Sequence, residues 1–207
     1  MKNMNNNIPA ILIIFLLGLL SCDNDEIFKT EQYKNVFALI SGTDNIYSKY
    51  YDLREEESIG YLSASCGGTN LTTRDINMSL VEDPLLIEAY NKTNYDVEYN
   101  KYAHQLSKSK YDIDSYKLRI PAGEIKASLP IRIRPEGLSP DSIYFIPIRI
   151  DSHDSYEANP DKNYVLFEVR IKNYYANAEG TTYNLKGNED NRNIFGTKIM
   201  HPLSANK

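Results

Sequence analysis

The sequence predicts an all-β fold, a β-sandwich of antiparallel strands with one short helix and an irregular C-terminal extension. Three observations carry this expectation. Apolar residues recur at every second position in six segments, turn-forming residues separate those segments, and a single stretch has helical spacing. In chain order the alternating sets are Val36, Ala38 and Ile40; Ile76, Met78 and Leu80; Tyr116, Leu118 and Ile120; Leu129, Ile131 and Ile133; Tyr144, Ile146, Ile148 and Ile150; and Val165, Phe167, Val169 and Ile171. Polar residues fill the intervening positions of most of them, as expected where one sheet face meets a core and the other meets water. Turns are expected at Pro121-Ala122-Gly123, at Pro135-Glu136-Gly137 and along the polar stretch from Asp151 to Asn163. Short strands at this spacing suit a sandwich.

The helical exception is Asp83 to Tyr90. Asp83 supplies an acidic cap, Pro84 suits the first helical position, and Leu86, Ala89 and Tyr90 share one face. A helix of two turns at most is expected, crossing one end of the sandwich. Asn91 to Tyr111 then reads as a long, tyrosine-rich ordered loop. Residues 176–207 are rich in Asn, Gly and charge with scattered apolar residues, too short a piece to bury a core alone. Two readings stay open for it: packing on the main domain, or the truncated start of a second one.

The N-terminus reads as a targeting segment over residues 1–21. Lys2 gives a positive start, and the apolar run Ile8 to Leu20 falls short of the roughly 20 residues that span a hydrocarbon core. Leu19-Leu20-Ser21-Cys22 follows, the pattern after which a signal peptidase cleaves and the Cys22 sulfur carries diacylglycerol. Further acyl chains would make anchoring stable where a single chain is marginal. The expected layout is a leader over 1–21, an acidic tether over 22–32, a sandwich domain over 33–175 and the extension over 176–207. Processing would leave 186 residues with 22 basic and 28 acidic side chains. With mixed signs and no basic stripe, nucleic-acid binding has no electrostatic footprint.

Catalytic patterns are missing: no nucleophile elbow, zinc-protease helix motif, phosphate loop or dinucleotide fingerprint occurs. No enzyme activity, cofactor or metal is therefore expected. His104, His153 and His201 stand in separate segments. Asp151, Asp154, Glu157 and Asp161 surround His153, but the spacing lacks the glycine and terminal glutamate of a calcium loop, so a solvated acidic loop is favoured. Glu55-Glu56-Glu57 is expected to face water. With Cys22 acylated, Cys66 has no disulfide partner and reads as a small buried side chain. Seventeen tyrosines and no tryptophan occur, grouped at Tyr47, Tyr50 and Tyr51 and along Tyr90, Tyr95, Tyr99, Tyr102, Tyr111 and Tyr116. Tyrosine suits sugar stacking, and it equally suits half-buried strand positions. Asp141-Ser142-Ile143 matches a short O-glycosylation pattern that chance alone often meets.

Leu118-Arg119-Ile120-Pro121-Ala122-Gly123-Glu124, the strand through Ile131 and Ile133, and Ser142-Ile143-Tyr144-Phe145-Ile146-Pro147-Ile148-Arg149-Ile150 resemble the "V-x-I-P-x-G … Y-x-I-P-I-x-I" signature of one family. Asp83-Pro84, Ala89-Tyr90-Asn91-Lys92 and Asn94-Tyr95 resemble its "D-P … Y-N-x-x-N" segment. The family is the uncharacterised N-terminal β-sandwich domain of Bacteroides surface lipoproteins, one branch of which precedes chitinase-type endo-N-acetylglucosaminidases. The resemblance runs from Tyr33 to Tyr174. It implies an immunoglobulin-like sandwich, a place in polysaccharide-utilisation systems, and relatives that continue into a second domain; it transfers no binding residue. Asp23-Asn24-Asp25-Glu26 likewise resembles the export signal that places such lipoproteins on the outer face of the outer membrane.

The expected function is an accessory component that binds or presents glycan, held to the membrane through Cys22 and working beside a TonB-dependent transporter or a glycosidase. The alternative is a structural, adhesive or spacer module with no carbohydrate site.

Overall fold

The computed structural model describes residues 33–172, 181–189 and 192–200. The first of these stretches folds into two facing sheets. One has the strand order β10-β1-β3-β8-β6, built from β1 (Val36–Leu39), β3 (Ser58–Gly67), β6 (Tyr111–Asp112), β8 (Lys126–Ile133) and β10 (Glu157–Ala158). The other has the order β2-β11-β9-β4-β7, from β2 (Ile46–Asp52), β4 (Ile76–Glu82), β7 (Lys117–Ile120), β9 (Tyr144–His153) and β11 (Tyr164–Lys172). The short β5 (His104–Gln105) pairs with the start of β9. Most pairings are antiparallel. Three are parallel: β1 with β10, β5 with β9, and β2 with β11 over seven residue pairs from Ile46↔Leu166 to Asp52↔Lys172.

The core between the sheets is an interdigitated apolar layer. Leu62, Leu129, Ile131 and Ile133 come from the first sheet, and Ile76, Met78, Ile120, Ile146, Ile148 and Phe167 from the second. Five of the six alternating sets therefore face inward as expected. The β1 set does not: Phe37 and Leu39 are buried, while Val36 and Ala38 are half-buried. Every residue from Val36 to Ile40 is apolar, so periodicity cannot choose a phase there; the pairing with β3 does. Strand β3 itself turns Gly60, Leu62, Ala64 and Cys66 inward. Those side chains are mostly too small to give a hydrophobic alternation, which is why the segment did not read as a strand.

Both expected proline turns form. Glu124 N–H donates to Pro121 C=O (3.0 Å) across Gly123 at φ +81°, and Leu138 N–H donates to Pro135 C=O (3.1 Å) across Gly137 at φ +72°. A positive φ at the third turn position is what glycine supplies at least steric cost.

The helix α1 (Leu85–Tyr95) is three turns long, not two, and lies on the outer face of the second sheet rather than over one end. Asp83 accepts from the Leu85 N–H (3.1 Å), so the acidic cap and the proline start the helix as expected. Its buried face is Ile87 and Asn91, four residues apart. The sequence places Asn91 at the start of the loop after the helix, but it lies within α1 and its amide is satisfied inside: Nδ2 donates to Ala103 C=O (2.9 Å) and Oδ1 accepts from Ala103 N–H (2.8 Å). Ile87 and Ala103 pack on Phe145 and Leu166, the outward residues of β9 and β11, forming a second small core. Between α1 and β6 the chain is ordered by two single-turn 3-10 helices and β5.

The C-terminal extension is regular rather than irregular: β12 (Thr181–Glu189) and β13 (Arg192–Met200) form an antiparallel hairpin with nine paired positions. Leu185, Phe195 and Ile199 are exposed on it. No helix among the described residues is long and apolar enough to cross a membrane.

Candidate functional site

The outer face of the second sheet carries a groove of about 400 Å³ beside α1. Its floor is built by the parallel pairing of β2 with β11, which sets Ser48 beside Glu168 and Tyr50 beside Arg170. Inward residues of the same strands, Tyr47, Tyr51, Phe167 and Val169, belong to the core, so period two sends Ser48, Tyr50, Glu168 and Arg170 outward together. Helix α1 contributes Tyr90 and Tyr95 as one wall, and the segment Pro140 to Ile143 forms another.

An ion pair between a buried carboxylate and a partly exposed guanidinium anchors this floor. Glu168 is only 7% exposed, with one carboxylate oxygen accepting from Ser48 Oγ and the other lying 2.9 Å from Arg170 Nε. Arg170 in turn donates to the Tyr50 hydroxyl (3.0 Å). Burial works against the Arg170 charge, but the hydrogen bonds to Tyr50 and Glu168 outweigh it and hold the guanidinium more firmly protonated than usual. The Tyr90 ring stands edge-on to Phe145 (4.9 Å between centroids) and to Tyr95 (6.0 Å). Burial and a hydrogen bond to Tyr95 push the Tyr90 phenol above its ordinary value, so it stays neutral. The result is a fixed set of aromatic rings and hydroxyls around a charge-compensated floor. Rings with polar tips can pack on the apolar face of a flat, hydroxyl-rich ligand while contacting its edge.

The tyrosines divide by role. Tyr50, Tyr90 and Tyr95 line the groove, whereas Tyr47, Tyr51 and Tyr111 belong to the core or pack against it. Tyr111 and Tyr116 both donate to the Glu82 carboxylate, which also takes Lys108. Burial raises the Glu82 pKa, but these three partners outweigh it and hold the carboxyl below its ordinary value. That cluster locks the segment after α1 to β4. Tyr99 and Tyr102 pair with each other (5.2 Å) away from the groove.

The acidic residues near His153 do not converge. Asp154 accepts from Asn77, Asp151 pairs with Arg149, Glu157 pairs with Lys34, and the His153 ring packs against Phe37. No group of metal-ligating side chains occurs among the described residues. Glu55, Glu56 and Glu57 are exposed, as expected. Cys66 is buried, and burial pushes its thiol up, away from reactivity. Cys22 and His201 lie outside the described residues. Sequence reasoning missed Ser48, Glu168 and Arg170. The alternation Phe167-Glu168-Val169-Arg170 marks the last two as outward, but nothing local pairs them with β2.

A family model described as "-like, N-terminal domain" matches residues 29–157. No curated protein matches the chain. Among solved structures, a Bacteroides ovatus protein of unknown function has a TM-score of 0.59 at 17% identity, over 88% of this chain and 59% of that one. A Bacteroides thetaiotaomicron protein described as an auxiliary nutrient binding protein has a TM-score of 0.52 at 16% identity, over 78% and 56%. A Bacteroides ovatus protein provisionally described as carbohydrate binding has a TM-score of 0.51 at 16% identity, over 74% and 40%. At these identities the likeness establishes the fold. The chain spans less than two thirds of the length of each of these structures.

Proposed function

The chain belongs to the family of N-terminal domains whose model matches residues 29–157, and from that premise we propose that it is a non-enzymatic accessory module that binds glycan in the groove beside α1. The observation that carries this reading is the groove itself: Tyr50, Tyr90 and Tyr95 around the Glu168–Arg170 pair. Rings supply stacking area at small entropic cost, while fixed hydroxyls and charged groups orient a polyol by hydrogen bonds. Two structural neighbours described as nutrient or carbohydrate binding support the same direction.

In this reading a lipid on Cys22 holds the protein at the outer membrane facing the exterior, where it hands glycan to a TonB-dependent transporter or a glycosidase. The lipid is tested by labelled palmitate, whose incorporation should vanish in Cys22→Ser. The glycan site is tested on the purified full chain by retardation on a polysaccharide panel. Retardation should be lost in Tyr50→Ala and Tyr95→Ala; equal migration of wild type on every glycan would end the proposal.

A second reading, an adhesive or spacer module, is favoured by the exposed Leu185, Phe195 and Ile199 of the C-terminal hairpin. Concentration-dependent polymers with no glycan retardation would select it.

A further inference from the structure

The groove does not stop at Tyr90. A second depression of about 490 Å³ lies further along the same face, and Ile46 and Tyr90 line both. Its floor is Ile46 with Tyr164 and Leu166, the residues that precede Glu168 and Arg170 on the outward side of β11. Its walls are Thr43 and Asp44 before β2, and Thr93 and Asn94 on α1. Tyr164, Leu166, Glu168 and Arg170 thus form one outward row. The row covers six strand steps of about 3.3 Å, roughly 20 Å from end to end.

We infer that the two depressions are one channel between α1 and β2, and that it takes a run of several sugar units within an uncharged glycan chain. This rests on the carbohydrate reading above and narrows it. A site for a single terminal sugar needs one pocket closed at its far end. Here a second depression adjoins the first across Ile46 and Tyr90 and adds the polar groups Thr43, Asp44, Thr93 and Asn94.

The chemistry differs between the halves. In the first, the carboxylate and the guanidinium are already paired with each other. In the second, the Asp44 carboxylate and the Thr93 hydroxyl are on exposed residues lining the depression, and both suit sugar hydroxyls. The charged side chains lining the two depressions are Asp44, Asp141, Glu168 and Arg170, three negative against one positive. A polyuronate or sulfated chain would meet like charge and be disfavoured, whereas a neutral chain would not.

The test is titration of the full chain with dimers, tetramers and hexamers of manno-, xylo- and chito-oligosaccharides, with oligogalacturonates of equal length as the charged series. In at least one neutral series the hexamer should bind about tenfold or more tighter than the dimer, and the charged series should bind least. Thr93→Trp, at an exposed helical position, would plug only the second half. It should bring the hexamer down to dimer affinity, with the dichroism spectrum unaltered. Equal affinity for dimer and hexamer, with no effect of Thr93→Trp, would overturn the channel while leaving the groove as a short site. Oligogalacturonate binding as tightly as the neutral chains would overturn the charge assignment. Failure of every series would overturn the carbohydrate reading and the channel with it.

Discussion

The side-chain amide of Asn91 holds the backbone of Ala103 from both directions, donating to its carbonyl at 2.9 Å and accepting from its N–H at 2.8 Å. Asn91 is 5% exposed and Ala103 is 3% exposed, so neither backbone group has water as a substitute partner. This pair fastens the chain after α1 back against the helix, and thereby fixes the helix that walls the groove. Asn91→Ala would leave a buried donor and acceptor unpaired. It should cost about 1–3 kcal/mol of unfolding free energy, the range for an orphaned buried polar group. Urea denaturation measures it, and a loss below about 0.5 kcal/mol would show that the clasp contributes little.

Gly60 sits against Tyr51 and Phe167 in the core. A Cβ on Gly60 would overlap the Tyr51 hydroxyl and lie 2.6 Å from Phe167 Cζ. Both rings are fully buried, so neither has room to move aside. Gly60→Ala should destabilise by about 1–3 kcal/mol through overpacking, read as a lower denaturation midpoint with unchanged slope.

Tyr51 also has a buried hydroxyl without a hydrogen-bond partner among the described residues. Burial, with Tyr47 adding to it, pushes this phenol above its ordinary value. Tyr51→Phe removes a polar atom that is desolvated without compensation. Stability should therefore hold or rise, by up to about 1 kcal/mol. A clear loss in the same melt would mean the hydroxyl is satisfied.

Removing Arg170 should destabilise more than removing its charge partner as well. Arg170→Met leaves Glu168 buried with Ser48 as its remaining described hydrogen-bond partner. The cost is expected near 1–3 kcal/mol, reduced because the arginine side chain is partly exposed. Adding Glu168→Gln should recover part of it, and a double-mutant cycle gives the coupling. Strict additivity would mean the two charges act independently.

Stability should fall in acid. Hydrogen bonds from Arg54 lower the Asp52 carboxyl to about 2, and those from Asn77 lower Asp154. Glu82 is lowered too, by Lys108, Tyr116 and Tyr111 against the effect of burial. A carboxyl whose folded pKa lies below its unfolded value stabilises above the unfolded value. That contribution is lost as pH falls through the folded one. The melting temperature should be level near neutrality and decline from about pH 5 towards pH 2. A level profile down to pH 3 would contradict these pairings.

Much of the scaffold was legible because strand periodicity is a local signal. Alternating large apolar residues located β4, β7, β8, β9 and β11, and the Pro-x-Gly turns located two of their connections. The signal failed where its physical basis is weak. Strand β3 buries glycine and alanine, whose inward position serves bulky neighbours rather than apolar area. Strand β1 is apolar on both sides, so its phase depends on which neighbour it meets. The sequence ends the helix at Tyr90 because the buried amide of Asn91 looks like a surface one until its partner is known.

What the sequence alone determined was the layered β architecture and where its chain turns, since these follow from side-chain size and backbone preference residue by residue. Only the tertiary structure decided the groove. Ser48 and Tyr50 meet Glu168 and Arg170 through a parallel pairing of strands 120 residues apart, and Tyr90 and Tyr95 of α1 form one wall beside them. Contacts at that separation are chosen by the packing of the whole domain, and no periodicity within a single segment records them.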